Sequence, residues 1–223
     1  MIKLQDVSYG YDGTELLRGM NFALNQGSFH FLTGPSGAGK STLLKLLYGE
    51  LTPSTGSVSL SGQDLAHLDR NQEALLRRHV GIVHQNCQFL DHLSVIDNVT
   101  LPLRVSGSPA KDQDVADLLG WVGLTARANA LPPELSGGER QRAALARAVV
   151  MSPEIIIADE PTGNIDWEMS QKLLKLLVEL NKMGKTVMVA THDLALIRAA
   201  KSQAATRVLR ISDRRVIQAG ADL

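Results

Sequence analysis

The sequence predicts an α/β fold: a mostly parallel core sheet, an N-terminal antiparallel β subdomain and an inserted α-helical subdomain. Three observations predict it. A glycine-rich loop at residues 34–41 lies between a strand-like segment and a helix-like one, the order expected of a phosphate-binding turn. Residues 155–158 and 186–190 are short apolar runs separated by an amphipathic stretch, as expected of buried parallel strands joined by a crossover helix. Between about residues 85 and 153 no strong strand pattern occurs, only helical periodicity.

The elements follow in order. Apolar residues repeat at period two at Ile2 and Leu4, at Met20, Phe22 and Leu24, and at Phe29 and Phe31. Gly-Tyr-Asp-Gly and Asn-Gln-Gly turns separate them, which predicts antiparallel strands. A second small strand pair is expected around Val58, Leu60 and Leu65, turning at Ser61-Gly62. Residues 71–79 read as a helix and 80–83 as a short strand. In the middle, segments 94–101, 112–122 and 124–130 read as helices, with Val115, Leu118, Leu119 and Val122 on one stripe. An Ala-rich helix follows Ser136 and reaches Val150. After the 155–158 strand, Met169, Leu173, Leu176, Leu177 and Leu180 mark the crossover helix. Residues 207–217 close the chain as a hairpin around Ser212-Asp213.

The loop itself carries the chemistry. In Gly34-Pro35-Ser36-Gly37-Ala38-Gly39-Lys40-Ser41-Thr42, glycines allow successive backbone N–H groups to turn inward around an anion. Lys40 adds a mobile charge for the β- and γ-phosphates, and the Ser41 hydroxyl can ligate Mg²⁺. The helix beginning there would point its N-terminus at the phosphates. The run of residues 155–158 ends in Asp159-Glu160, at the strand edge where open α/β sheets bind ligands. Asp159 is placed to share Mg²⁺ with Ser41, and Glu160 to orient or deprotonate an attacking water. Phosphoryl transfer to water needs such positioning and charge neutralisation.

Composition limits the partners. Lys+Arg and Asp+Glu are balanced at 23 each over 223 residues, so no electrostatic attraction to nucleic acid is expected. The single cysteine, Cys87, cannot form an internal disulfide and has no evident thiolate-activating neighbour in sequence. No run approaches the length of a membrane span, and residues 1–6 read as a first strand rather than a signal peptide.

Leu135-Ser136-Gly137-Gly138-Glu139-Arg140-Gln141, placed between the phosphate loop and Asp159-Glu160, resembles the signature motif of ATP-binding-cassette (ABC) ATPases, a P-loop NTPase family. The resemblance covers essentially the whole chain. It implies one cassette over residues 1–223, with about 1–84 and 154–223 as core plus antiparallel β subdomain and about 85–153 as the helical subdomain. It implies a homodimer with two ATP at its interface, each chain presenting Ser136, Gly137 and Gly138 to the γ-phosphate held by the other. Gln85 is similar to the lid glutamine that contacts Mg²⁺ and the attacking water, and His192 to the switch histidine that contacts the γ-phosphate. Asp166 resembles the loop that couples the dimer halves. Tyr11 is similar to the aromatic that stacks on adenine, with Tyr9 as the alternative.

Within the family, residues 159–166, the run 32–47, Arg77-Arg78 and Asp97-Asn98-Val99 resemble the branch of cell-division, lipoprotein-release and macrolide-export ATPases, the cell-division members most. His84 and Asn86 depart from that branch, which often has Phe and Asp there. The resemblance implies a polytopic inner-membrane partner and a peripheral position on the cytoplasmic face of the bacterial inner membrane. ATP-driven closure would reshape that partner and so regulate cell-wall hydrolases. The alternative is the ATPase subunit of a lipoprotein-release or drug-export transporter. The lid segment 85–101, with Phe89, Leu90, Leu93 and Val95, is the expected groove for a cytoplasmic helix of the partner.

Overall fold

The computed structural model describes residues 1–109, 111–163 and 165–218. A four-stranded antiparallel sheet contains β1 (Ile2–Tyr11), β2 (Thr14–Leu24), β4 (Thr55–Leu60) and β5 (Gln63–Asp64), in the order β2-β1-β4-β5. A six-stranded sheet runs β10-β9-β3-β8-β7-β6. Its members are β3 (Phe29–Thr33), β6 (Val80–Val83), β7 (Ile155–Asp159), β8 (Thr186–Ala190), β9 (Thr206–Ser212) and β10 (Arg215–Gln218). All its pairs are parallel except β9 with β10.

The helices are α1 (Lys40–Leu47), α2 (Arg70–Arg77), α3 (Val95–Ser106), α4 (Asp112–Trp121), α5 (Gly137–Val149), α6 (Trp167–Lys182) and α7 (Leu194–Lys201). Helices α3, α4 and α5 fill the interval between β6 and β7.

Alternation along the central strands divides the core into two layers. Leu32, Ile155, Ile157, Met188 and Ile211 face the antiparallel sheet and α1, packing with Ile2, Met20, Leu43 and Leu47. Phe29, Phe31, Ile156, Ala158, Val187 and Val189 face the other way, toward Val99, Leu119, Leu145, Leu173 and Ile197. This two-sided burial is why residues 155–158 read as continuously apolar rather than alternating. Each buried Leu or Ile stabilises the fold by about 2 kcal/mol relative to exposure.

The structure corrects four expectations. Phe29 and Phe31 do not continue the antiparallel sheet: β3 pairs in parallel with β8 and β9, and all five of its residues are buried. The period-two pattern was real, but His30, its polar member, is buried too. Leu65 lies in a 3-10 turn after a two-residue strand. Segment 124–130 holds only a 3-10 turn at Thr125–Arg127. Finally, α7 was not anticipated; Asp193 caps it through the amides of Ala195 and Leu196.

Candidate active site

Parallel pairing puts the carboxyl ends of β3, β7, β8 and β6 on one edge of the sheet. The four segments that leave that edge carry residues 34–41, Asp159-Glu160, His192 and Gln85. They surround a cleft of about 640 Å³ whose walls include Gly34, Gly37, Lys40, Ser41, Thr42, Gln85, Glu160 and His192. Ligand clefts of open parallel sheets form at this edge.

Gly39 shows why the loop needs glycine. Its φ is 96°, and a Cβ there would lie 2.8 Å from the Leu17 side chain. Gly37 has φ of 76° in open space, so its demand is conformational rather than steric. The turn leads directly into α1, whose first residue is Lys40. The helix presents its unpaired amides to the cleft.

Lys40 Nζ donates to the main-chain oxygens of Gly34 at 3.0 Å and Pro35 at 3.2 Å. It also stands 3.8 Å from Glu160 Oε1. That same carboxylate oxygen is 3.0 Å from His192 Nδ1. Glu160 is 8% exposed and has a φ of 43°, in the left-handed region that a non-glycine residue occupies at a cost. Its amide donates to the Ala190 carbonyl at 2.8 Å, tying the end of β7 to β8. Strain at a residue facing a ligand cleft is consistent with a positioned functional group.

Two carboxylate oxygens here are buried without a hydrogen-bond partner: Asp159 Oδ1 and Glu160 Oε2. Burial pushes the Asp159 carboxyl above its ordinary range, with the Ser41 side chain opposing the shift. Unpaired buried carboxylate oxygens are costly unless a cation or a donor completes them. A carboxylate beside a hydroxyl is the hard-oxygen donor set that Mg²⁺ prefers. The residues present therefore fit a Mg²⁺–nucleoside triphosphate.

Not every expected residue meets in this cleft. Ala38 lies within the loop but is not part of the cleft wall. The Tyr11 hydroxyl is 3.4 Å from Thr42 Oγ1, and its ring packs edge-on against Tyr9 with centroids 5.1 Å apart. Tyr11 is exposed. Ser136, Gly137 and Gly138 begin α5 and are not part of the cleft wall. Ser136 and Gly137 are exposed, and Ser136 forms a capping box with Glu139. Exposed Asp166 caps α6 through the Met169 amide, next to that turn, since Met169 also packs against Gly138. Asn164, part of the motif, lies outside the described residues. The cleft wall also includes Leu16 of β2, which no motif signalled; only the folding of β2 over the loop brings it there.

The sequence profile described as ABC transporter matches residues 17–163. The chain is 45% identical to the cell division ATP-binding protein FtsE of Haemophilus influenzae, over 89% of this chain and 93% of that protein. It is 44% identical to the Escherichia coli protein of the same name, over 96% of each. Among solved structures, the dimeric ATP-binding cassette MJ0796 in a post-hydrolysis state with ADP and Pi superposes with a TM-score of 0.87. It is 32% identical and covers 98% of each chain. A phosphate loop, a carboxylate pair at the end of β7 and a family match across the core converge: the chain belongs to the ABC transporter family, as one of its ATPase cassettes.

Proposed function

We propose that this ATPase is the nucleotide-hydrolysing subunit of a bacterial cell-division complex, working as a homodimer on a polytopic inner-membrane protein of the FtsX kind. The observation that carries the hydrolytic part is Glu160: buried, 3.0 Å from His192, 3.8 Å from Lys40, and with Oε2 unpartnered. The relatives named for cell division, matched over nearly their whole length, support the biological role.

In this reading ATP seats its phosphates on residues 34–42. Lys40 exchanges its two carbonyl partners for β- and γ-phosphate oxygens. Ser41, Asp159 and Gln85 would hold Mg²⁺, which supplies charge neutralisation across those oxygens. Glu160 accepts a proton from, or orients, the attacking water. His192 holds the other Glu160 oxygen and reaches toward the γ-phosphate. Tyr11 stacks on adenine. Ser136, Gly137 and Gly138 of one chain complete the γ-phosphate site of its partner, with Asp166 at the seam. Residues of about 85–153 act as a helical subdomain on the core.

The partner would touch the helical side. Phe89 sits under the guanidinium groups of Arg147 and Arg140, at 4.7 and 5.5 Å from its centroid, and Val95 is 1% exposed, so neither is free for docking. Beside them, a groove of about 500 Å³ between α2, β6 and α3 includes Arg77, Arg78, His84, Pro102, Val105 and Arg147. Val105 is 81% exposed. Apolar contact surrounded by cations suits an acidic amphipathic segment of the membrane protein. Among the described residues no helix is long and apolar enough to cross a membrane, so attachment to the cytoplasmic face would run through this partner. Closure of the dimer would then reshape the partner and regulate peptidoglycan hydrolases outside.

The test is capture of the Glu160→Gln protein with ATP from native membranes, followed by mass spectrometry. A small polytopic protein of the FtsX kind supports the reading. A permease with a large periplasmic substrate-handling domain would replace it with lipoprotein release or drug export.

A further inference from the structure

Glu139 sets a negative charge beside the turn that Ser136 opens. Its Oε2 accepts from the Ser136 amide at 2.8 Å, and its own amide donates to the Ser136 hydroxyl at 3.3 Å. The bond from the Ser136 main chain, followed by those from the Ser136 and Arg127 side chains, holds the Glu139 carboxyl below its ordinary range although burial opposes this. An ionised carboxylate therefore stands next to the hydroxyl and glycines proposed to meet the γ-phosphate of a second chain. Like charges brought together as water leaves an interface repel more strongly than they do in bulk solvent.

Arg127 meets the other carboxylate oxygen. Its Nε donates to Glu139 Oε1 at 3.0 Å, and among the described residues no other cation pairs with Glu139. The arginines of α5 nearest in sequence are engaged elsewhere: Arg140 donates to the main-chain oxygens of Pro132 and Cys87, and Arg142 to the Met169 sulfur. Arg127 ends the 3-10 turn Thr125–Arg127, and its amide donates to the carbonyl of buried Leu124 at 2.9 Å. Just beyond it the chain is pinned to the start of α3. The Ala128 carbonyl accepts from the Ile96 amide and the Ala130 carbonyl from the Val95 amide, each at 2.9 Å. A fixed main chain thus delivers the guanidinium. The Arg127 side chain is half exposed, so in the single chain solvent screens the pair and it adds little stability. Covering it with a second copy removes that screening.

We infer that Arg127 is a positioning residue for the nucleotide of the second copy: it neutralises Glu139 and holds it as the cap of Ser136, so that the turn meets a γ-phosphate with no bare carboxylate beside it. It acts through Glu139 and touches neither nucleotide nor metal. The inference rests on the dimer proposed above.

The test is Arg127→Ala in the Glu160→Gln protein, with the dimer dissociation constant in Mg²⁺–ATP read by sedimentation. That constant is expected to rise about tenfold. ATP binding by the single chain should stay within about twofold and the melting temperature within about two degrees, because the pair is screened there. Glu139→Gln removes the charge and keeps a residue that can close the capping box. Alone it should dimerise at least as well as the Glu160→Gln protein, and added to Arg127→Ala it should restore that affinity. An arginine that merely braced the 3-10 turn against α5 would not be rescued in this way. Undiminished dimers of Arg127→Ala, or no rescue in the double variant, would overturn the inference alone. A Glu160→Gln protein that stays monomeric would overturn the proposed role of Ser136, and the inference with it.

Discussion

Glu160 Oε1 lies between His192 Nδ1, at 3.0 Å, and Lys40 Nζ, at 3.8 Å. One oxygen of the carboxylate is thus occupied by cationic or proton-donating neighbours while Oε2 stays unpaired and buried. The occupied oxygen holds the group still at the wall of the cleft. Glu160→Gln keeps the held end and weakens the basic one. Turnover should fall by at least about a hundredfold, while ATP affinity, read by fluorescent-nucleotide titration, stays within a few-fold of the parent. Residual activity within tenfold of the parent would remove Glu160 from the water-activating role.

The cap that Ser136 makes is separable from the γ-phosphate contact proposed for it. Its hydroxyl accepts from the Glu139 amide at 3.3 Å, and Glu139 returns a bond to the Ser136 amide at 2.8 Å. Losing that cap costs about 1 kcal/mol. Ser136→Arg should therefore lower the melting temperature by a few degrees, leave ATP binding to the single chain intact and abolish ATP-driven dimers. Ser136→Asp keeps a capping oxygen but sets a negative charge against the phosphate of the partner chain. It should also stay monomeric, with little loss of stability. Dimers of parent strength in both variants would move the second γ-phosphate contact elsewhere.

Val105 is 81% exposed in a groove whose wall also includes Arg77, Arg78 and Arg147. Val105→Glu should reduce co-purification with the membrane partner by tenfold or more while ATP binding is unchanged. The substitution removes apolar contact and sets like charge against an acidic segment. Undiminished co-purification would place the partner on another face.

His30 predicts a pH dependence of stability. It is 2% exposed with Nδ1 unpartnered. Burial, aided by nearby Arg207, lowers its pKa to about 4 from 6.5. Above the unfolded value both states are neutral and the residue has no effect. As pH falls below 6.5 the unfolded chain takes up a proton that the folded one refuses, so stability declines until the folded value near 4 is reached. Between pH 7 and 5.5 this group alone should cost about 1 kcal/mol, measured by urea midpoints. His30→Leu should flatten the decline over that range; an equal slope in the variant would assign the acid sensitivity to other groups.

The parts of the site that were legible in the sequence are those encoded over a few consecutive residues. Gly34 to Thr42 and Asp159-Glu160 announce themselves because loop geometry and strand-end placement are local properties. Their meeting is not local. Glu160 and His192 are 32 positions apart, and β3 finds its partners in β8 and β9, far along the chain. Period-two spacing at Phe29 and Phe31 therefore announced a strand but not its direction of pairing. Leu194–Lys201 escaped notice because only Leu196, Ile197 and Ala200 of its eight residues are buried, too few to show a stripe.

The central claim is that this cleft binds ATP and is completed by a second copy of the chain. Sedimentation of the Glu160→Gln protein, with and without Mg²⁺–ATP, tests it most directly when bound nucleotide is counted in the same fractions. The account predicts monomers without nucleotide, and with ATP a dimer holding two ATP. A protein that binds ATP with the same affinity yet remains monomeric at every concentration would contradict it.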